Sequence, residues 1–288
     1  MTGLRLVVAL TLCIGVAVRG AQDLIHDASG SPTDPPGRTW HVAPRDLPGL
    51  SPDVQVRTIS EAARQVGPGD TVVIHEGIYR ETVTVEASGT AGRPIRFQAA
   101  PGERVGVTGA DEGRDGRKEP VGAKVFRTPW PHRFIAWNPA GTHPSDDEHR
   151  MIGRCEQIFI AGYPLLQVLD RSQLARGTFF VDLDARQLFV CPRDGADLTR
   201  KSARVEASVR QVLWKTEGKH VHLKGLSFRY AANMAQHGAV AIEGDHGVIE
   251  DCAFEAMNSS GATFAARDLV VRRCTFEDNG QLGFGANR

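Results

Sequence analysis

From about residue 205 onward, apolar residues return in a block every 22 to 26 positions. Leu223, Leu226 and Phe228 recur as Ile249, Cys252 and Phe254, and again as Val271, Cys274 and Phe276. A unit with so few apolar positions cannot bury them alone, so the units must stack on one another. Equivalent residues in stacked coils lie about one strand spacing apart, roughly 4.8 Å, which lets the charges test the alignment independently. The columns Lys219, Asp245, Arg267 and Lys224, Glu250, Arg272 both alternate in sign. With no helical 3.6-residue period in the block, the pattern predicts a parallel β-helix.

Carried to the other strand of each unit, the same alignment gives Val240 and Ile242, Ala262 and Phe264, and Phe284 and Ala286 as inward pairs. The outward columns then read Ala239, Gly261, Gly283; Ala241, Thr263, Gly285; and Glu243, Ala265, Asn287. A face with so little bulk can take a chain-like ligand, walled by Asn233, Gln236 and His237, Asn258 and Ser259, and Asp278, Asn279 and Gln281. The three asparagines equally suit a ladder or left-handed turns. Glu243 is the carboxylate placed on that face, with Asp278 or Glu277 as its candidate partner. A second column, His220, His246 and Asp268, has residue types that bind zinc or move protons, but its place at an outer turn favours a surface ladder over a metal site.

Upstream, Trp40 to Pro44 alternate as a strand. Thr58 and Glu61 then form a Thr-x-x-Glu cap for a short amphipathic helix carrying Ile59, Ala62, Ala63 and Val66, ended by Gly67, Pro68 and Gly69. Such a helix covers the open end of a solenoid. Strands follow at 71–74, around Val83 and Val85, at 94–97 and at 105–108, divided by Gly and Pro clusters, so residues 40–111 read as cap and first coils. Residues 112–204 change composition and contain further strands at 158–160, 165–169, 178–182 and 187–191, the last two forming a hairpin. They read as an insertion, and 205–288 as further coils.

The 288 residues carry 34 acidic and 34 basic side chains, so net charge supports neither nucleic acid nor an anionic membrane as partner. Arg5, the apolar run 6–18, and Gly20 with Ala21 have the layout of a secretory signal peptide over residues 1–21, too short in its apolar part to span a bilayer. Residues 22–39 read as a disordered leader, the protein as secreted and the chain as a monomer. Cys155, Cys191, Cys252 and Cys274 match no zinc spacing, and the last two share an inward column as buried thiols.

The stretch Pro68, Gly69, Asp70, Thr71, Val72, then 76–81 (Glu-Gly-Ile-Tyr-Arg-Glu), then Ser88, Gly89, Thr90, Pro94, Ile95, Pro101, Gly102 and Glu103, resembles the N-terminal coils of secreted right-handed parallel β-helix proteins of the chondroitinase-B and alginate-lyase type, on the pectate-lyase-like scaffold. The inserted unit, with Glu156, Gln157, Ile158, Phe159 and 178–182 (Thr-Phe-Phe-Val-Asp), looks more like β-helix glycoside hydrolases acting on plant cell-wall polysaccharides. The resemblance implies an all-β, right-handed parallel β-helix with an N-terminal capping helix and a polysaccharide as ligand. It implies a hydrolase first, a lyase second and a non-catalytic carbohydrate-binding solenoid third. No cofactor is expected, calcium entering only by resemblance to the lyases, whose Lys, Arg and calcium constellation has no counterpart here. The hydrolase relatives carry their acidic pair in later coils. Because the chain stops at Arg288 within or just after a strand, the expectation is an incomplete protein with that pair beyond its end.

Overall fold

The computed structural model describes residues 37–113, 119–120, 124–136, 147–200 and 203–286; the predicted signal peptide and nearly all of the predicted leader lie outside them. Among the described residues no helix is long and apolar enough to cross a membrane.

Five coils stack through three parallel sheets. Coil 1 runs through Thr71–Ile74, Gly77–Tyr79 and Val83–Val85, and coil 2 through Ile95–Ala99, Val105–Thr108 and Trp214–Thr216. Coil 3 has Val221–Lys224, Leu226–Arg229 and Gly238–Ile242; coil 4 has Val248–Glu250, Ala253–Glu255 and Ser260–Phe264; coil 5 has Val270–Arg272, Thr275–Glu277 and Phe284–Ala286. The first strands of the coils form the first sheet, the second strands the second and the third strands the third. The registry predicted from the repeat holds: Leu223 faces Ile249 and Ile249 faces Val271, while Phe228, Phe254 and Phe276 align in turn. Their rings stack, Phe254 on Phe276 at 4.6 Å and 5° between planes. Trp214 fills the third-sheet column below Val240 and gives its indole N–H to Thr216 Oγ1 at 2.8 Å, so Thr216, the polar residue in the neighbouring inward column of Val85, Ile242 and Phe264, is satisfied.

The corners of coils 3 to 5 are each turned by a left-handed residue, and these too form columns: Gly225, Asp251, Arg273 between the first and second sheets; Tyr230, Ala256, Asp278 between the second and third; His220, His246, Asp268 leading into the first sheet. The column Ala239, Gly261, Gly283 does not face outward as strict alternation predicts. Ala239 is fully buried, and a Cβ on Gly261 would lie 3.2 Å from the Cβ of Phe254 and 2.5 Å from the Gly283 carbonyl oxygen. The chain is still rounding the corner there, so this column points into the core and must stay small.

Below coil 1, Thr39–Val42 and Gln55–Val56 extend the first sheet, and the helix Ile59–Ala63 buries Ile59, Ala62 and Ala63 against that end. Thr58 Oγ1 accepts from the Glu61 N–H at 3.1 Å, as predicted. The rest of the cap comes from elsewhere: Glu81 accepts the Ile59 and Ser60 N–H groups, each at 2.9 Å, and Glu61 reaches back to the Arg57 N–H.

The insertion leaves coil 2 at the second-to-third-sheet corner and returns at Trp214. Ala110–Glu112, Val205–Ser208, Ile158–Ile160 and Tyr163–Pro164 make a four-stranded sheet, and Thr178–Asp182 with Gln187–Cys191 make the predicted hairpin within another. Val205–Ser208 therefore belongs to the inserted unit rather than to a resumed coil, pairing antiparallel with Ile158–Ile160 and Ala110–Glu112. The unit has its own core around Trp130, Ile158, Phe179, Leu188 and Val190.

Candidate functional site

At the end of the second sheet the outward positions of successive coils are Thr108, Arg229, Glu255 and Glu277. One residue further on lie the left-handed corner residues Tyr230, Ala256 and Asp278. Because the inserted sheet continues directly from coil 2, it rises beside these corners. Phe159 stacks on Tyr230 with ring centroids 3.8 Å apart, and Gln157 Nε2 donates to the Ala256 carbonyl at 3.2 Å. Gln157 is itself held by the Ser208 hydroxyl, which donates to its Oε1 at 3.1 Å.

Between the two surfaces opens a cleft of about 620 Å³. Gln157, Phe159 and Pro164 line one wall, and Tyr230, Glu255, Glu277 and Asp278 the other. Parallel rungs place Glu255 and Glu277 about 4.8 Å apart at the backbone. Burial, with Glu206 and Glu255 nearby, raises the Tyr230 phenol above its ordinary value although Arg229, whose guanidinium carbon lies 5.0 Å from the ring centroid, pulls the other way. Tyr230 is therefore a neutral hydroxyl at physiological pH, able to donate a hydrogen bond. Arg80 anchors the foot of the insertion, paired with Glu112 at 3.1 Å and with buried Glu206 at 3.0 Å. Arg154 clamps buried Glu156 through two bonds of 2.9 and 3.1 Å, and its carbonyl accepts from Asn258 Nδ2 at 3.1 Å.

Of the residues predicted from sequence, Asp278 and Asn279 line this cleft, together with Glu277. Glu243 does not. It sits past the far end of the coil 3 strand Gly238–Ile242, whereas Asp278 precedes the third sheet in coil 5, so a five-residue strand, roughly 15 Å, separates their corners. Hydrolysis needs carboxyl groups about 5 to 9.5 Å apart, so Glu243 and Asp278 are not a catalytic pair. Glu243 is instead bound to Lys215, Nζ to Oε2 3.3 Å, and Lys215 also holds Glu217 at 2.6 Å; hydrogen bonds first to Glu217 and then to Glu243 raise the ammonium pKa.

None of the three asparagines has a left-handed backbone; they link adjacent turns, Asn258 Nδ2 donating to the Asn233 carbonyl at 2.9 Å. Asn233 is 1% exposed; its Nδ2 donates to the carbonyls of His237 and Ser260 at 2.6 and 2.8 Å, and its Oδ1 accepts from the Ser259 N–H at 3.0 Å. With its amide used by the turns, Asn233 cannot meet a ligand. Asn279 likewise ties the coil 5 turn to coil 4, accepting from Met257 N–H and donating to the Phe254 carbonyl. Asn258 and Gln281 line a separate cleft of about 350 Å³ together with Arg154. Gln281 Oε1 accepts from the Gln236 N–H at 2.7 Å and from Ser259 Oγ, while His237 hydrogen-bonds the Ala235 carbonyl. The His220 and His246 rings stack at 4.8 Å, with His246 Nδ1 3.4 Å from Asp268, in a column of corner residues of which His246 and Asp268 are exposed and His220 partly so. Among the described residues no group of three His, Cys, Asp or Glu is placed to hold a metal ion.

Glu255 and Tyr230 were not picked out by sequence reasoning, and Phe159 entered only through the resemblance, not as a site residue. The signal for Glu255 was present, since the residue after each stacked phenylalanine reads Arg229, Glu255, Glu277; that for Phe159 was not, because its neighbour Tyr230 is 71 positions away.

No family model matches the chain. Over 53 residues, 18% of this chain and 11% of the other, it is 43% identical to the uncharacterized protein YwoF of Bacillus subtilis (strain 168). A solved structure of XylC in complex with xylose superposes with a TM-score of 0.63 at 20% identity, covering 78% of this chain and 41% of that one. A glycoside hydrolase structure gives 0.57 at 14% identity, covering 83% and 66%. The chain thus spans less than two thirds of each of these proteins. What it shares with the two solved structures is the fold, and the chain is a parallel β-helix protein with a β unit inserted at one corner.

Proposed function

We propose that this is a secreted polysaccharide-active protein that hydrolyses glycosidic bonds in the cleft between the inserted unit and the second-sheet corner. The observation that carries this reading is the pair Glu255 and Glu277, on adjacent rungs of one sheet and opening into a cleft walled by the stacked Phe159 and Tyr230. Glycoside hydrolysis uses two carboxyl groups, one giving its proton to the leaving oxygen and the other attacking the anomeric carbon or activating water. Side chains rooted about 4.8 Å apart suit the shorter separation, about 5 to 5.5 Å, at which the second carboxylate acts as nucleophile and configuration is retained. Asp278 adds a third carboxyl at the same mouth, and the partly exposed Tyr230 ring, backed by buried Phe159, offers an apolar edge to sugar C–H faces.

Elimination would need a base and a cation to neutralise the substrate carboxylate. Tyr230 is held protonated, and the described residues lining the cleft include three carboxylates and neither Lys nor Arg, the neighbouring Arg229 being held against the Tyr230 ring. This favours hydrolysis of a neutral glycan, as does the likeness in fold to a protein solved with xylose.

The test is incubation of the purified protein with neutral and uronate polysaccharides, scoring new reducing ends against the unsaturated product of elimination. Reducing ends from a neutral glycan are expected, falling roughly 10²- to 10⁴-fold in kcat/KM in Glu255→Gln and in Glu277→Gln. Unsaturated product would establish a lyase, saturable binding without turnover a carbohydrate-binding solenoid, and full activity in both variants would move the site elsewhere.

A further inference from the structure

On the outer face of the first sheet, away from the cleft described above, two outward columns run side by side. One reads Thr71, Arg96, His222, Val248; the other reads Val73, Gln98, Lys224, Glu250, Arg272. A groove of about 220 Å³ lies between them. Its charges do not balance. Glu250 is the one carboxylate lining it, and Lys224, Arg272 and Arg273 already converge on Glu250 at 2.9, 2.6 and 2.9 Å. Arg96, on the opposite bank, has no such partner among the described residues, where its side-chain hydrogen bond is a 3.5 Å contact from Nη1 to the Pro94 carbonyl. Next to it His222 is half-buried and neutral, its pKa pushed down to about 4 by burial first and by Arg96 second. A neutral imidazole keeps one N–H to donate.

We propose that this groove binds an oxyanion, a carboxylate or a sulfate, received by the Arg96 guanidinium with the His222 N–H and Lys224 beside it. A planar guanidinium with open donors accepts two oxygens of such a group at once, and the pairing is strengthened where the site is partly walled from water. The groove holds one such group with the ring that carries it. Its source is either a free ion or an acidic glycan, and the chemistry is the same. The site is independent of the cleft and of its proposed hydrolysis.

The full-length protein would be titrated by calorimetry with sodium sulfate and, separately, with a short oligogalacturonate, at fixed ionic strength. Saturable binding of at least one is expected, weakened about tenfold or more in Arg96→Gln and changed less than about twofold in Lys215→Gln, a cation removed from the third sheet instead. Preference for sulfate identifies a free ion, and preference for the oligogalacturonate identifies a glycan. Proton NMR gives a second readout. The groups facing His222 are Arg96, Gln98, His220, Lys224, Glu250 and Arg272, and a bound anion among these cations raises the His222 pKa from about 4, whereas loss of binding leaves it there. Should Arg96→Gln fail to fold, as seen by circular dichroism, Arg96→Lys keeps the charge and removes the fork, and is expected to bind more weakly than the parent. Saturation by neither ligand, or equal weakening in Arg96→Gln and Lys215→Gln, would overturn the proposal.

Discussion

Asn233 shows how a single residue type carries two opposite meanings. A polar side chain at a turn beside a low-bulk face is a reasonable ligand contact on sequence alone. In the fold it is as buried as its neighbour Ser259, and it satisfies two carbonyls and one N–H from neighbouring turns. Asn233→Ala would leave all three without a partner, at a cost of roughly 2 to 3 kcal/mol. Chemical denaturation should show that loss, and a change under about 0.5 kcal/mol, ordinary for surface substitutions, would mean that water replaces the amide. Gly261 is the other residue whose role depends on direction. As an outward residue it would tolerate alanine; as part of the inward corner column it does not, since a Cβ would crowd the Gly283 carbonyl at 2.5 Å. Gly261→Ala is expected to cost about 1 to 3 kcal/mol by overpacking, read as a fall in Tm.

The stacked charge column is an element-scale device. Glu250 lies between Lys224 and Arg272 on adjacent rungs, and the hydrogen bonds from these cations hold its carboxyl at about 2 against an ordinary 4.5. The folded chain therefore binds fewer protons at this group than the unfolded one between these values. Its contribution to stability is complete above about pH 4.5 and is lost as pH falls toward about 2. Glu250→Gln should be less stable at neutral pH and should flatten the stability profile across that window. His222, whose pKa is depressed to about 4 from 6.5, adds a second acid-side loss that runs at higher pH and should survive the substitution. An unchanged acid limb in Glu250→Gln would show that the column is screened out by solvent.

At the scale of the molecule, the inserted unit and the solenoid have separate cores, joined where coil 2 leaves and re-enters its corner. Coil 1 turns the same corner in three residues, 80–82, between Tyr79 and Val83. Tyr79 aligns with Val107 and Val83 with Trp214, so joining Gly109 directly to Leu213 would restore a three-residue corner of Thr108, Gly109 and Leu213. Such a deletion should keep a β-rich circular dichroism spectrum and a cooperative melt, because the stacked columns are untouched. It should also lose turnover in the cleft, whose second wall is gone. A chain that no longer folds would show that the Arg80, Glu112 and Glu206 anchor is needed by the solenoid itself.

Sequence by itself determined most of the stack, although the Ala239, Gly261, Gly283 column read as outward and Val205–Ser208 as a resumed coil. The aligned apolar columns, their registry, the alternating charge ladder and the capping helix could be read before any coordinates. Each follows from repetition at a fixed period, and in a parallel stack the same period along the chain becomes adjacency in space. Tertiary structure decided the site. Glu243 and Asp278 looked like neighbours because both flank one sheet, yet they stand at opposite corners of it. Glu255 and Glu277 gained their meaning only when Phe159, brought from a remote segment of the insertion, stacked on Tyr230 and closed the cleft. Local pattern fixes which residues share a column, because that depends on backbone pairing. It does not fix what faces the column from outside, because that depends on where a non-repeating segment folds back.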